Sequence, residues 1–195
     1  MHEAYDEAIT YVQTHDIGLL KLPIKVPFGR NIQPIRIQNS QRKYIEYPGE
    51  VLTLTGYGRT GDWWLGGIIP EIQYWVYQRG VTQQECFSWY RYSQVIDVVT
   101  VCAQFYNETI QGGCTGDSGG PLTKVDVDGQ LTQIGVMSFG PARGCNTEHP
   151  NGYVRPEWYH DWIESKTGLN FDWNETDLKS TKLDYEDSLK PLVVD

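Results

Sequence analysis

The sequence predicts an all-β protein built from short strands and many turns. Its 195 residues include 20 glycines, 13 tyrosines and 7 tryptophans. Aromatic and β-branched residues are typical of strands, and glycine is typical of turns. The clearest strand pair is an alternating hairpin, in which residues 122–127 and 131–136 flank an Asp128-Gly129 turn. Few stretches show the longer period of an amphipathic helix. A chain of this length can bury one sizeable core or two small ones.

The other elements are predicted in chain order from local signals. Residues 23–47 contain three prolines and little periodicity, and are expected to form a connector across the surface. An alternating strand follows at residues 51–55. Thr82 and Glu85 form a capping box that opens a short helix. The later elements, each with its own start and stop signals, are a strand at residues 98–103 and a helix from Pro156 to Gly168.

Composition and charge argue against several classes of function. The formal net charge of −9 argues against a nucleic-acid partner, which calls for a basic surface. No apolar stretch approaches the roughly 18 residues of a membrane span. The residues after Met1 lack the basic start and apolar run of a signal peptide. We therefore expect neither nucleic acid nor a membrane as partner.

The four cysteines favour disulfides over a metal site. They include no Cys-x-x-Cys pair and no nearby histidine at ligand spacing, so we expect neither a metal nor a cofactor. Four cysteines allow three pairings, and the spacing leaves all three open. Asn107 and Asn174 each begin an Asn-x-Thr sequon, which is compatible with glycosylation in a secreted protein. The cysteines are Cys86, Cys102, Cys114 and Cys145.

A glycine-rich loop around Ser118 is the strongest candidate for chemistry. Residues 116–121 surround this serine with glycines that can enter positive φ without strain. Such a turn can expose the serine hydroxyl and direct the N–H groups of Gly116 and Ser118 toward one substrate oxyanion. One alternative is an ordinary turn without chemistry. The other is the Gly-x-Ser-x-Gly elbow of α/β-hydrolases, which is disfavoured because a hairpin follows Pro121 where that elbow needs a helix.

Two segments give the chain a resemblance to the trypsin/chymotrypsin family of serine peptidases. Residues 116–121 are Gly-Asp-Ser-Gly-Gly-Pro, as around the family's nucleophile. Residues 16–22 resemble its Asp-Ile-Ala-Leu-Leu-Lys-Leu strand, with Gly18 in place of alanine. The resemblance implies a chymotrypsin-like double β-barrel with a C-terminal helix. Its parts are 1–22 as a remnant of the first barrel, 23–47 as the connector, 48–170 as a complete second barrel with the helix, and 171–195 as an acidic flexible tail.

The same resemblance implies a role for each candidate residue. Ser118 is the expected nucleophile and Asp16 the expected carboxylate that orients a histidine, with the Gly116 and Ser118 N–H groups as oxyanion donors. Cysteine pairing is expected between Cys86 and Cys102 and between Cys114 and Cys145. The expected substrate pocket has Gly112 as its floor and no acid there, so it is chymotrypsin-like rather than trypsin-like, open and suited to Phe, Tyr or Leu. Its other residues are Ser138, Phe139, Gly140 and Asn151.

One member of the family's catalytic apparatus has no counterpart in these 195 residues. The general base is a histidine that precedes the aspartate by several tens of residues, and His2, His15, His149 and His160 do not match it. Asp117 likewise lacks the amine that pairs with it in the family, and is expected to turn away or to draw in water.

The expected function is therefore that of a serine endopeptidase. The 195-residue chain is expected to be truncated at its N-terminus and to lack hydrolytic activity. The alternative is a non-catalytic homologue with a binding or regulatory role. Expected partners are a polypeptide substrate or a protease inhibitor, the expected state is a monomer, and the expected location of the full-length protein is extracellular.

Overall fold

Six antiparallel strands close into a β-barrel in the computed structural model, which describes residues 1–5, 14–91 and 96–174. In the barrel, β2 pairs with β3 and β5, β4 joins β3 to β7, and β6 joins β5 to β7. The short strand β1 adds to β6 in parallel. The strands are β1 (Arg36–Ile37), β2 (Val51–Gly56), β3 (Tyr74–Val81), β4 (Thr100–Phe105), β5 (Pro121–Val125), β6 (Leu131–Phe139) and β7 (Asn151–Val154), and the helices are α1 (Gln83–Trp89) and α2 (His160–Thr167).

The barrel core follows from alternation along its strands. Leu52 and Leu54 of β2 are buried while Thr53 between them is half-buried, because successive side chains of a strand point to opposite faces. Leu122 and Ile134 meet the two leucines inside the barrel, beside the fully buried Tyr153. The predicted all-β class and the complete second barrel are confirmed.

Local signals located several elements correctly. The hairpin of β5 and β6 turns at Gly129, whose φ of +84° favours glycine. The Thr82 side chain accepts a hydrogen bond from the Glu85 N–H at 3.0 Å and opens α1. Helix α2 follows a 3₁₀ turn that begins at Pro156, and it ends at Gly168.

Both disulfides join the pairs that the resemblance implied. Cys86–Cys102 connects α1 to β4, and Cys114–Cys145 connects the start of the Ser118 loop to the segment after β6. The first crosslink therefore ties a surface helix to the barrel, and the second joins two loops.

The prediction that Asp16 lies on a strand is wrong. Residues 14–22 form no strand, and His15 has a φ of +59°, outside the extended region. A strand needs a neighbouring backbone to accept its hydrogen bonds, and this segment makes no ladder within the described ranges. Leu19, Leu20 and Leu22 are exposed as a result.

The start of the predicted tail lies against the barrel. Asp172 accepts hydrogen bonds from the Ser40 N–H at 2.9 Å and from its hydroxyl at 2.5 Å. The Trp173 indole N–H donates to the Ile37 carbonyl at 2.8 Å, and the Arg36 guanidinium lies 4.0 Å from the centre of the ring. Residues 175–195, which make up the rest of the predicted tail, lie outside the described residues.

The two predicted glycosylation sites are both exposed. Asn107 lies in the turn after β4, where its side-chain oxygen accepts a hydrogen bond from the Thr109 N–H at 3.0 Å. Asn174 is also exposed, although the threonine of its sequon lies outside the described residues. Glycan attachment stays a prediction at both. Within the described ranges, no helix has the length and apolar character needed to cross a bilayer.

Candidate active site

Ser118 is exposed at the end of a tightly turned loop. Gly116 and Gly119 flank it with φ values of +100° and +82°, which only glycine adopts without strain. The Gly119 N–H donates to the Met137 carbonyl of β6 at 2.8 Å, so the loop is fastened to the barrel wall. The hydroxyl borders a cavity of about 500 Å³.

The Asp117 side chain points away from that cavity and is held by backbone. Its two carboxylate oxygens accept hydrogen bonds from the Gly58 N–H at 2.8 Å and the Cys114 N–H at 2.9 Å. A Cβ on Gly58 would lie 2.5 Å from this carboxylate, so glycine is needed there. The expectation that Asp117 turns away agrees with this arrangement, in which two N–H donors offset the cost of burying its charge.

The two N–H groups expected to bind an oxyanion are free to donate. In the part of the chain that the structure describes, neither the Gly116 nor the Ser118 N–H donates to a protein acceptor. Both residues line the 500 Å³ cavity. The oxyanion hole stays a prediction that this arrangement permits.

Asp16 reaches the same cavity through Ser138. The Ser138 hydroxyl donates to the half-buried Asp16 carboxylate at 2.7 Å, and Ser138 lines the cavity together with Ser118. Ser138 thus links Asp16 to the cavity that Ser118 also lines. Sequence reasoning expected Ser138 to contact substrate and missed its bond to Asp16.

Each of the four histidines is engaged elsewhere. His15 Nδ1 lies 3.0 Å from the Tyr159 hydroxyl, and its ring stacks on that of His2 at 4.8 Å. His149 packs on Trp89, and His160 Nε2 donates to a backbone carbonyl at 2.7 Å. Within the described residues, none of them contacts Ser118 or Asp16.

The Asn151 carboxamide lies between Gly112 and Gly140, two glycines of the expected pocket. Asn151 Oδ1 accepts a hydrogen bond from the Gly113 N–H at 2.9 Å, and its Nδ2 donates to the Gly113 carbonyl at 3.3 Å. A Cβ on Gly112 would lie 2.7 Å from this Oδ1, and a Cβ on Gly140 would lie 2.9 Å from the Nδ2. The carboxamide therefore fills the space between those two glycines.

The residues of the expected pocket are divided between two cavities, and its depth stays a prediction. Gly113, Ser138 and Gly140 line the cavity at Ser118, but Gly112 does not. Gly112 instead borders a separate cavity of about 200 Å³, which Asp117 also lines. Asn151, which was also expected in the pocket, does not line the cavity but bonds to Gly113, which does.

Two buried residues hold the Asn151 amide in one orientation. The Tyr153 hydroxyl, whose pKa is raised well above its ordinary value by burial, donates to Gln78 Oε1. Because that oxygen accepts, Gln78 Nε2 must be the group that donates to Asn151 Oδ1, at 2.9 Å. Sequence reasoning missed Gln78, since β3 was not predicted and a lone glutamine carries no signal.

Phe139, another predicted pocket residue, serves mainly in packing. Its ring is buried against the Cys86–Cys102 disulfide and meets the Tyr90 ring edge to face, with centroids 5.2 Å apart. It also covers Gly152, where a Cβ would overlap the ring. Phe139 therefore lines the cavity at Ser118 and also packs into the core behind it.

One acid lies close enough to sulfur to resemble a metal site. Asp62 lies beside Cys114 and Cys145, with candidate ligand atoms within 4.8 Å of one another among the described residues. Both sulfurs are joined in a disulfide and offer no thiolate. The Asp62 carboxylate is instead bonded to the backbone N–H groups of Cys145, at 2.8 Å, and Asn146, at 3.1 Å.

Comparison with known proteins gives consistent matches. The sequence profile of the family described as Trypsin matches residues 1–163. Collagenase from Hypoderma lineatum is 30% identical over 159 residues, which cover 80% of this chain and 55% of that protein. Chymotrypsin-C from Mus musculus is 32% identical over 173 residues, which cover 87% of this chain and 60% of that protein.

The structural comparison agrees with the sequence comparison. The solved structure of HL collagenase superposes with a TM-score of 0.60 at 28% identity, covering 74% of this chain and 57% of that one. Mouse neuropsin superposes with a TM-score of 0.69 at 23% identity, over 85% of this chain and 67% of that one, and so supports the fold. The chain spans little more than half of the length of the two curated relatives.

Proposed function

Because the chain belongs to the trypsin/chymotrypsin family of serine peptidases, we propose that its 500 Å³ cavity is the substrate site of a serine endopeptidase. Ser118 would be the nucleophile. The observation that carries this proposal is that Ser118 and Ser138 line one cavity and that the Ser138 hydroxyl donates a hydrogen bond to the Asp16 carboxylate. Polypeptides are the substrates of this family.

The proposed mechanism assigns one task to each group. The Ser118 Oγ attacks the scissile carbonyl carbon, and its proton passes to an imidazole that Asp16 orients. In the described structure none of the four histidines of this chain takes that position, so the imidazole has another source. The carbonyl oxygen, which becomes negatively charged, accepts hydrogen bonds from the Gly116 and Ser118 N–H groups. Each such donor contributes on the order of 3 kcal/mol to transition-state stabilisation. The imidazolium then protonates the leaving amine, and water releases the acyl group.

Residues 1–195 alone are proposed to bind polypeptides without cleaving them. None of the four histidines contacts Ser118 or Asp16 in the described structure, so the proton of Ser118 has no base to accept it. The same observation favours the second candidate function, a non-catalytic homologue that binds peptides or a protease. The two candidates differ in whether the site still responds to an imidazole supplied from outside.

Added imidazole should therefore restore hydrolysis. We expect the rate for an activated leucine ester, corrected for hydrolysis by imidazole itself, to rise with imidazole concentration and to saturate. General-base catalysis contributes about 10²- to 10⁴-fold. Ester hydrolysis followed spectroscopically at pH 7.5 measures this, with Ser118→Ala as the inactive control. A corrected rate that never exceeds that of Ser118→Ala would favour the non-catalytic homologue.

The side chain accepted before the scissile bond is proposed to be uncharged and of medium size, such as leucine. Gly112 and Asn151 place no acid where a substrate Arg or Lys would need one. The Asn151 carboxamide lies between Gly112 and Gly140, and Gly140 lines the cavity, so in this proposal the amide limits the depth available to the larger rings of Phe and Tyr. Binding of the substrate backbone to Ser138–Gly140 would add affinity that does not depend on sequence.

Replacing Asn151 with glycine should shift this preference toward aromatic residues. The variant removes the amide between Gly112 and Gly140, and we expect the ratio of phenylalanine-ester to leucine-ester hydrolysis to rise at least about 10-fold. Imidazole-assisted hydrolysis of the two esters measures the ratio. Asn107→Gly, which removes an exposed asparagine outside both cavities, is the matched control. An unchanged ratio in Asn151→Gly would contradict the proposal that Asn151 limits the depth of the cavity.

An extracellular location is proposed for the full-length protein. Two disulfides within one small domain persist in oxidising compartments and are rare in the cytosol. The sequon at Asn107 is exposed, as glycosylation requires. The predicted monomeric state, and the prediction that an inhibitor is an alternative partner, belong to the same proposal.

A further inference from the structure

An uncharged apolar run lies on the surface beside the catalytic cavity. Residues 63–70 are Trp-Trp-Leu-Gly-Gly-Ile-Ile-Pro. Trp63 is 71% exposed and Ile69 68%, and the other large side chains of the run are more than half exposed. Isolated exposed apolar residues are ordinary, but a contiguous group marks a binding surface.

The run is held in one conformation by backbone hydrogen bonds at its base. The Asp62 carbonyl accepts from the N–H groups of Leu65 and Gly67, both at 3.0 Å, and Gly66 closes the turn with a φ of +87°. The Thr60 N–H donates to the Ile68 carbonyl at 3.0 Å, and the Ile68 N–H donates back to the Thr60 hydroxyl at 3.1 Å. The apolar side chains are therefore displayed by an ordered loop.

Asp62 fastens this loop to the wall of the catalytic cavity. Its carboxylate is bonded to the N–H groups of Cys145 and Asn146, and the Asn146 side chain accepts from the Asp62 N–H at 2.9 Å. Cys145 is linked in turn to Cys114 at the start of the Ser118 loop. The apolar loop and the nucleophile loop thus share one anchor.

We propose that residues 63–69 are a docking surface for an apolar segment of the polypeptide substrate, outside the residue that enters the pocket. Trp63 and Trp64 line the same cavity as Ser118, and their rings meet edge to face with centroids 5.8 Å apart. A chain that occupies this cavity therefore contacts both rings. The inference rests on the proposed function, and it adds the class of substrate, a protein with an apolar stretch near its cleavage site.

The charge around the loop favours a polypeptide over a lipid surface. Interfacial membrane anchors combine apolar residues with Lys or Arg, but residues 60–72 contain neither. The charges that flank the run are those of Asp62, Glu71 and Arg59, whose guanidinium donates to the Gly67 carbonyl at 3.4 Å, so one basic residue is outnumbered by two acids. The whole chain carries a net charge of −9, which anionic headgroups repel. Tryptophan is among the residues that contribute most to protein–protein binding.

Binding of two matched fluorescent peptides tests the proposal. Both carry leucine for the pocket; one continues into an apolar run of Leu, Val and Phe, and the other into Ser and Gly. We expect Ser118→Ala in the 195-residue chain to bind the apolar peptide at least about 10-fold more tightly by fluorescence anisotropy, the loss typical of one hot-spot residue. Adding Trp63→Ser and Trp64→Ser should bring the ratio of the two dissociation constants close to 1.

The control variant removes the same number of exposed aromatic side chains, two, from a different part of the surface. Tyr77→Ser with Tyr106→Ser removes two half-exposed rings that lie outside both cavities, and it should leave the ratio unchanged. Trp63→Ser and Trp64→Ser are also measured as single variants. If the double variant fails to fold, the single variants still show whether each ring contributes to the ratio.

Several results would overturn the proposal. Equal binding of the two peptides by the parent chain would do so, as would an equal fall in the ratio for the tyrosine control. Tryptophan-dependent binding to phosphatidylcholine vesicles without peptide selectivity would assign the loop to lipid, and tryptophan-dependent dimerisation in sedimentation would assign it to a second copy. Imidazole-assisted ester hydrolysis by the unmodified chain is measured separately, so failure of the proposed function is recognised independently of peptide selectivity.

Discussion

A fluorophosphonate is expected to label Ser118 of the 195-residue chain about 10²- to 10⁴-fold more slowly than it labels a serine peptidase with a complete triad. The reagent reacts with a serine whose proton is being removed by a histidine. Here the described histidines bond to a tyrosine and a backbone carbonyl, or pack on aromatic rings, and none reaches the serine. Asp16 is bonded to Ser138 instead.

Time courses of labelling, followed by gel fluorescence, measure this difference. Ser118→Ala gives the background, and a catalytically active serine peptidase of the same family, at equal concentration, is the standard. Labelling should accelerate when imidazole is added and should accelerate less in Asp16→Asn, since the carboxylate orients the ring and stabilises its charged form. Labelling at the rate of the active standard without imidazole would refute the proposed inactivity of residues 1–195.

Removing the Cys114–Cys145 disulfide is expected to cost roughly 4 kcal/mol of unfolding free energy. The bond closes a loop with a sequence separation of 31, and in the chain-entropy model the loss of that constraint stabilises the unfolded state. A domain of this size is stable by only about 5–15 kcal/mol, so the loss is a large fraction. Urea unfolding of Cys114→Ala with Cys145→Ala, compared with the parent chain, measures it.

The second disulfide separates a local effect on the site from a general loss of stability. Cys86–Cys102 closes a loop with a sequence separation of 16, for which the same model gives about 3 kcal/mol. Its removal should destabilise the chain to a similar degree. Only the Cys114–Cys145 variant should lose imidazole-assisted hydrolysis in the absence of urea, because that bond anchors the Ser118 loop. Equal hydrolysis by the two variants would contradict this role.

Local chemistry predicted much of the fold correctly. The Asp128-Gly129 turn, the Thr82 cap and the Gly168 stop each depend on residues within a few positions of one another, and the structure shows all three. β3 was missed because its burial does not alternate: the aromatic residues Tyr74, Trp75 and Tyr77 are all exposed, whereas Gly80 and Val81 at its end are both buried. The strand at Asp16 was wrongly predicted because an apolar run forms a strand only where another backbone pairs with it.

The sequence by itself determined the barrel class, the nucleophile loop and, through the family resemblance, the disulfide pairs. Gly-Asp-Ser-Gly-Gly-Pro requires a turn that glycine alone can make, and that requirement is local. Only the tertiary structure decided which hydroxyl donates to Asp16, which residues line the cavity at Ser118 and that the apolar loop borders the same cavity. Those properties depend on contacts such as Ser138 with Asp16 and Asn151 with Gly113, between residues 122 and 38 positions apart. No local pattern encodes such contacts, because they form only when the closed barrel brings distant strands together.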